Sequence, residues 1–268
     1  MNGSVNILLV VAISLLVLAL ATGAGLYIRK WQTTRMRKIG VMVLCVIILA
    51  GGLGGTLYAY AWPKGPPELS SKEKASLQKM YTAVTTNVPL FYDPLTRQDA
   101  NYWNVGTWHQ GDSCSFNDGA YHIISIEQEY YSWCIAEAPV FSNFVYQVQM
   151  KILRGDGGGL VFRARAKSGD YYYFGIGQTG TYSLYRFSSK ENRQELQSGS
   201  SSSIKTGLNQ VNLLSVVARG AQIAVFVNKQ PIAEINDSAY QMGQIGLAAD
   251  EDNNTTDVAY TNAQVWTL

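Results

Sequence analysis

The chain has 268 residues, of which 47% are apolar and 15% charged, with a formal net charge of +2. That balance excludes a nucleic-acid-binding surface, which needs a concentrated basic face. It also conceals an asymmetry. The first 62 residues contain no acid, and five of the 21 basic residues sit together between Arg29 and Lys38, so the remainder of the chain is net acidic.

The N-terminal part reads as a membrane unit. Ile7 to Ile28 is a run of 22 uncharged residues and Ile39 to Trp62 one of 24, each long enough to cross about 30 Å of hydrocarbon as a helix. Two transmembrane helices are therefore expected over residues 1–62, with the lipid bilayer as their partner. Arg29, Lys30, Arg35, Arg37 and Lys38 fill the loop 29–38 between them, and short basic loops stay cytoplasmic. The expected product is a multi-pass protein of the cell membrane with its N-terminus and its C-terminal domain outside. A cleaved signal peptide competes for the first stretch, because Ala19-Leu20-Ala21 resembles a small-residue cleavage site; the missing basic lead and the length of the run argue against it. Small residues four apart, Ala19 with Gly23 and Gly51 with Gly55, let helices approach closely. Packing as a hairpin is the simpler account of them, and self-association of transmembrane helices the alternative.

Residues 63–88 form an extracellular linker. Pro63-Lys64-Gly65-Pro66-Pro67 is a stiff spacer. Ser70 followed by Glu73 makes a capping-box pattern, and Leu77, Met80, Tyr81 and Val84 recur at helical spacing. A short linker helix of about fifteen residues is predicted here, packed on the external domain or standing as a stalk.

From Pro89 onward strand signals take over. The most regular stretch is Asn209 to Asp250, where Val211, Leu213 and Val217 on one parity and Leu214 and Val216 on the other describe a strand buried on both faces. Gly220 then turns the chain into Gln222–Val227, Asn228-Lys229 turns it into Pro231–Ile235, and Gln244–Ala249 follows Gly243. Further candidate strands cover Leu90–Tyr92, Ser113–Phe116, Ala120–Ser125, Tyr131–Ala136, Phe144–Leu153, Gly159–Arg165, Tyr171–Gly177, Tyr182–Phe187, Glu195–Ser198 and Val258–Trp266. So many short strands without an intervening helical period predict an all-β domain over residues 89–268, an antiparallel two-sheet jelly-roll sandwich.

Cys45 falls in the second apolar stretch as a small apolar residue, while Cys114 and Cys134 lie in the presumed external domain. An oxidising compartment lets those two form a disulfide, worth about 3 kcal/mol for a loop of that length. Two free buried thiols are the other reading.

Several motifs occur in order: Trp103-Asn104-Val105-Gly106, Asn117-Asp118-Gly119-Ala120-Tyr121, the run from Asp156 through Gly157-Gly158-Gly159 to Arg163, Tyr171 to Phe174, the strand-turn-strand pattern from Asn212, Gly243 to Leu247, and Asn262 to Trp266. Together they resemble the concanavalin A-like lectin/glucanase jelly roll, in particular the laminin-G-like and 3-keto-disaccharide hydrolase-like domains of bacterial proteins. The resemblance covers roughly Pro89 to Leu268 and implies a fold more firmly than a function. Lys229 departs from it, standing where the pattern usually has Gly after Asn.

No catalytic residues are assigned. The glucanases of this fold place acidic residues at alternating positions of one strand; here only Glu127-Gln128-Glu129 approaches that pattern, and a solvated turn explains it. His109 and His122 are the only histidines, and no nucleophile-elbow sequence accompanies them. No cofactor is expected other than calcium as a candidate at Asp250, Asp252 and Asn253, whose hard oxygens suit that ion, although a solvated acidic turn is the simpler account.

Sugar binding needs aromatic faces and a few polar groups. Trp108, His109 and Trp133 supply the first part of such a face, and Tyr171 and Tyr173 share one side of their strand, with Tyr172 and Phe174 on the other. Arg163 and Arg165 lie opposite Leu160 and Phe162, which marks their side as solvent-accessible. The ligand-binding set is thus Trp108, His109, Trp133, Arg163, Tyr171 and Tyr173, drawn from the region between Trp103 and Tyr173. The function expected is a membrane-anchored extracellular module that binds carbohydrate or another extracellular ligand without catalysis. A sugar-processing hydrolase and a structural protein-interaction ectodomain remain as alternatives.

Overall fold

The computed structural model describes residues 68–98, 102–108, 111–126, 130–137, 140–189, 192–251 and 254–268. The two apolar stretches, the basic loop 29–38 and the first part of the linker lie outside the described residues, among which no helix is long and apolar enough to cross a membrane.

Helix α1 spans Ser71–Thr85. Its N-terminus is fixed as the sequence requires: the Ser70 side chain accepts from the Glu73 backbone N–H, and the Glu73 carboxylate accepts in turn from the Ser70 backbone N–H at 2.8 Å. The Ser70 hydroxyl also donates to that carboxylate at 2.6 Å, and this bond, followed by the one from the backbone N–H, holds the Glu73 carboxyl below its ordinary pKa. Leu77 and Tyr81, four apart, are the buried residues of the helix. They pack with Val145, Val217, Phe226 and Trp266, so α1 covers part of a sheet instead of standing free.

Fifteen strands follow, arranged as two antiparallel sheets. One sheet runs β13 (Gln230–Asn236), β12 (Gln222–Val227), β11 (Val211–Arg219), β6 (Phe144–Arg154), β15 (Thr256–Thr267), β4 (Ala120–Ser125), β3 (Asp112–Asn117), β2 (Gly106–Trp108), with β1 (Phe91–Asp93) also paired to β15. The other runs β10 (Asn192–Ser200), β9 (Thr181–Ser188), β8 (Asp170–Gly177), β7 (Gly157–Arg165), β14 (Gln244–Glu251), β5 (Tyr130–Ile135). This is the all-β, jelly-roll-like sandwich that the strand pattern predicts.

The core lies between the sheets. Tyr121, Phe144, Tyr146, Val148 and Tyr260 of the nine-stranded sheet face Leu160, Phe162, Tyr172, Phe174 and Leu247 of the six-stranded one. Each such side chain stabilises the fold by about 2 kcal/mol through burial. Two tyrosine hydroxyls bridge the layers, Tyr146 to the Gly246 carbonyl at 3.1 Å and Tyr260 to the Ala248 carbonyl at 2.6 Å. The disulfide Cys114–Cys134 joins β3 to β5, one strand from each sheet. That bond, and not the burial of the two cysteines, answers the alternative of free thiols.

The turn between β12 and β13 places both Asn228 (φ 50°) and Lys229 (φ 67°) in the left-handed region. Lysine therefore adopts a conformation that favours glycine, with the Asn228 side chain bonded to Leu213 N, Ser203 O and Asn212 to hold the turn.

Candidate functional site

The outer face of the six-stranded sheet divides into two zones. In the first, Ile135, Val161, Tyr171, Tyr173 and Ala248 form a buried cluster against which Trp133, Tyr185 and Phe187 pack. The rings stack: Tyr171 on Phe187 at 4.6 Å and 13°, Trp133 beside Tyr171 at 5.1 Å, and Tyr173 parallel to Tyr185 at 6.5 Å.

In the second zone the outward positions carry no side chains. Gly157 lies opposite Gly177 and Gly159 opposite Gly175, while Ala248 flanks Gly159 from β14. Gly157 and Gly177 leave bare backbone at the floor of a trough, whereas the Tyr173 ring lies over Gly175. The approach is close enough that a Cβ on Gly159 would sit 2.0 Å from the Phe174 carbonyl oxygen.

The trough is a cavity of about 680 Å³, within the range of small-ligand sites. On one side stands Asp250, on the other Tyr185, Arg193, Ser183 and Ser198 of β9 and β10, with Asp156 and Gln178 at the end. Tyr185 donates to the Glu195 carboxylate at 3.3 Å, and the Arg193 guanidinium lies 4.6 Å above its ring. Burial is the main cause that pushes the Tyr185 phenol above its ordinary pKa of 10.0, so the hydroxyl stays protonated at neutral pH. Asp156 accepts from both the backbone and side-chain nitrogens of Asn254, at 3.1 and 3.2 Å, which ties its carboxylate to the loop before β15. The arrangement offers the rings of Tyr182 and Tyr185, several hydroxyls, the Arg193 guanidinium and two carboxylates around an open floor. Among the described residues no group of three His, Cys, Asp or Glu side chains is placed to hold a metal ion.

Of the residues that the sequence nominates, Trp133, Tyr171 and Tyr173 are brought to this face. Tyr171 and Tyr173 are only 6% and 1% exposed and do not line the trough; the Tyr173 ring lies over Gly175. Asp250 is at its edge, whereas Asp252, Asn253, His109 and the pair Glu127 and Glu129 lie outside the described residues.

Two expectations need correction. Trp108 sits on edge strand β2 of the other sheet and packs against the inter-sheet core. Arg163 is fully buried, not on an open face. The pairing of β7 slips between Phe162 and Arg165, and Arg163 has a φ of 48°, the mark of a bulge that breaks the alternation on which its outward placement rested. Its guanidinium donates to the carbonyls of Ser142 (2.8 Å), Gly220 (2.8 Å) and Tyr240 (3.0 Å), cross-linking three loops, and burial lowers its pKa.

With this geometry in view, residues 96–265 match the 3-keto-alpha-glucoside-1,2-lyase-like domain. The chain belongs to that family. A carbohydrate-binding module, CBM66 from Bacillus subtilis, superposes on this lyase-like domain with a TM-score of 0.52 at 15% identity, over 62% of the chain and 96% of the module. A Bacillus subtilis protein of unknown function with a galectin-like fold gives 0.52 at 14% identity, over 68% of the chain and 96% of its own. At such identities the likeness establishes the fold alone. No curated protein matches the sequence.

The trough residues that sequence reasoning missed are Tyr185, Arg193, Ser183, Ser198 and the glycines. A signal for the floor exists, since Gly157 and Gly159, and Gly175 and Gly177, each recur at period two within a strand. Nothing local marks Tyr185 or Arg193, because their role arises from cross-strand register with Tyr173 and Phe187.

Proposed function

We propose that this lyase-like domain is an extracellular glycan-binding module that holds a neutral sugar in the trough without breaking a bond. The observation that carries the reading is the glycine floor. A pyranose is thick and amphipathic, and it fits where paired strands withhold the side chains of Gly157 and Gly177 and a tyrosine ring stands at the side. In this pose the sugar lies against Tyr185, one face of whose ring Arg193 covers, while Asp250, Arg193, Ser183 and Ser198 bind its hydroxyls. The named function of the CBM66 module on the same fold supports this assignment.

Residues 1–62 then anchor the module as a two-helix hairpin, with loop 29–38 inside and the C-terminal domain outside, a placement supported by the uncharged runs and by the Cys114–Cys134 disulfide. The purified full-length chain, applied to an array of diverse glycans, is expected to retain a subset of neutral oligosaccharides; silence across the array overturns the reading.

One observation favours a second reading, a sugar-processing enzyme: Asp156 and Asp250 line the same trough, and glycoside chemistry is commonly run by two carboxyl groups. Because Asp156 is engaged twice by Asn254, binding is the better assignment. Product release from a bound glycan that is abolished by Asp250→Asn reverses this order.

A further inference from the structure

The outer face of the nine-stranded sheet holds a second trough, of about 450 Å³, lined by Val88, Pro89, Tyr92, Leu213 and a patch of carboxamides: Gln147, Gln149, Asn262 and Gln264. The patch is ordered by register. Gln264 of β15 lies opposite Tyr92 of β1 and Gln147 of β6, and Gln149 lies opposite Thr261 and Leu213.

The hydrogen bonding within it is lopsided. Gln149 Oε1 accepts from Thr261 Oγ1 at 3.2 Å and Asn262 Nδ2 at 3.0 Å, and Gln264 Oε1 accepts from Gln147 Nε2 at 2.9 Å. The Gln147 oxygen is taken by the Tyr81 hydroxyl, and Asn262 Oδ1 by Tyr92 at 3.3 Å. Every carboxamide oxygen is thus engaged. The amide nitrogens of Gln149 and Gln264 make no hydrogen bond among the described residues, which leaves two donors on residues that line the trough.

We infer that this trough is a second binding site for a neutral glycan, independent of the one on the six-stranded sheet. No lining residue is charged, so the site has nothing to neutralise an anion and no ligand set for a metal. An extended peptide is disfavoured because β15, β6 and β11 are each paired on both sides, and the edge strand beneath the trough, β1, is only three residues long, too short for extended main-chain pairing. A sugar matches what remains: hydroxyl oxygens accept from Gln149 and Gln264, and the C–H face of the ring rests on Tyr92, which is 55% exposed.

The test is a titration of the isotope-labelled full-length chain with cellobiose, following the side-chain amide signals of Gln149 and Gln264 by NMR. Those signals are assigned by their disappearance in Gln149→Leu and Gln264→Leu. Both pairs are expected to shift, to need about tenfold more cellobiose in Tyr92→Ala, and to respond unchanged in Tyr185→Ala, which separates this site from the first. If the two amide pairs stay fixed up to the solubility limit of the sugar, or if an uncharged peptide moves them and cellobiose does not, the assignment is overturned.

Discussion

The two outer faces of the sandwich begin from the same alternation of side chains and reach different surfaces. On the six-stranded sheet the central outward positions are Gly157, Gly159, Gly175 and Gly177, with the Tyr173 ring over Gly175 and a trough open at Gly157 and Gly177. On the nine-stranded sheet the corresponding positions are carboxamides, and one end of the face is closed by α1 through Leu77 and Tyr81. A trough can therefore be made by withholding side chains or by surrounding short polar ones. The first way depends on backbone contact and tolerates no added atom; the second depends on hydrogen-bond geometry and tolerates more.

That contrast is broken most severely at Gly159. Gly159→Ala is expected to lose about 4 kcal/mol, because its Cβ would press on the backbone carbonyl of Phe174, which cannot swing aside; the urea midpoint measures it. Arg163→Ala comes next, at about 3 kcal/mol, since it strips the Ser142, Gly220 and Tyr240 carbonyls of their shared donor. A stable Arg163→Ala protein with lost glycan binding would instead restore Arg163 to the binding face.

Alkaline pH acts on the core and on both faces. Burial raises the pKa of Tyr81 under α1, of Tyr121, Tyr146, Tyr172 and Tyr260 in the core, and of Tyr185 on the trough. The neutral phenol is favoured in the folded state, so this contribution is complete below the unfolded value near 10.0 and declines as pH rises above it. Urea midpoints are predicted to be insensitive to these groups up to that pH and to fall beyond it. The smallest effect is on the helix-covered face, where Tyr81→Phe removes the hydroxyl contacts with Gln147 and Ser215 and is expected to cost about 1 kcal/mol in the same assay.

The framework was legible because it rests on local signals. The capping box at Ser70 and Glu73 and the strands Ala120–Ser125 and Gln222–Val227 are found where turn residues and period predict them. Strand β2 was overlooked, since Gly106–Trp108 is only three residues long and has no period to read. The site was less legible. Alternation correctly grouped Tyr171 with Tyr173, but it cannot see a bulge, and the bulge at Arg163 turned a presumed surface cation into a buried cross-link. Nor could a reading confined to Trp103–Tyr173 find a trough that draws on Tyr185, Arg193, Ser198 and Asp250, residues united only by strand pairing.

The most direct test fills the glycine-floored trough without touching the core. Ser183 lines it from β9 and is half-buried beside Gly175, so Ser183→Trp projects an indole over the floor. For a glycan retained by the wild-type chain, calorimetric titration of Ser183→Trp is predicted to show affinity weakened at least about a hundredfold, with the melting temperature unchanged. An affinity equal to that of the wild type would contradict the placement of the sugar in this trough.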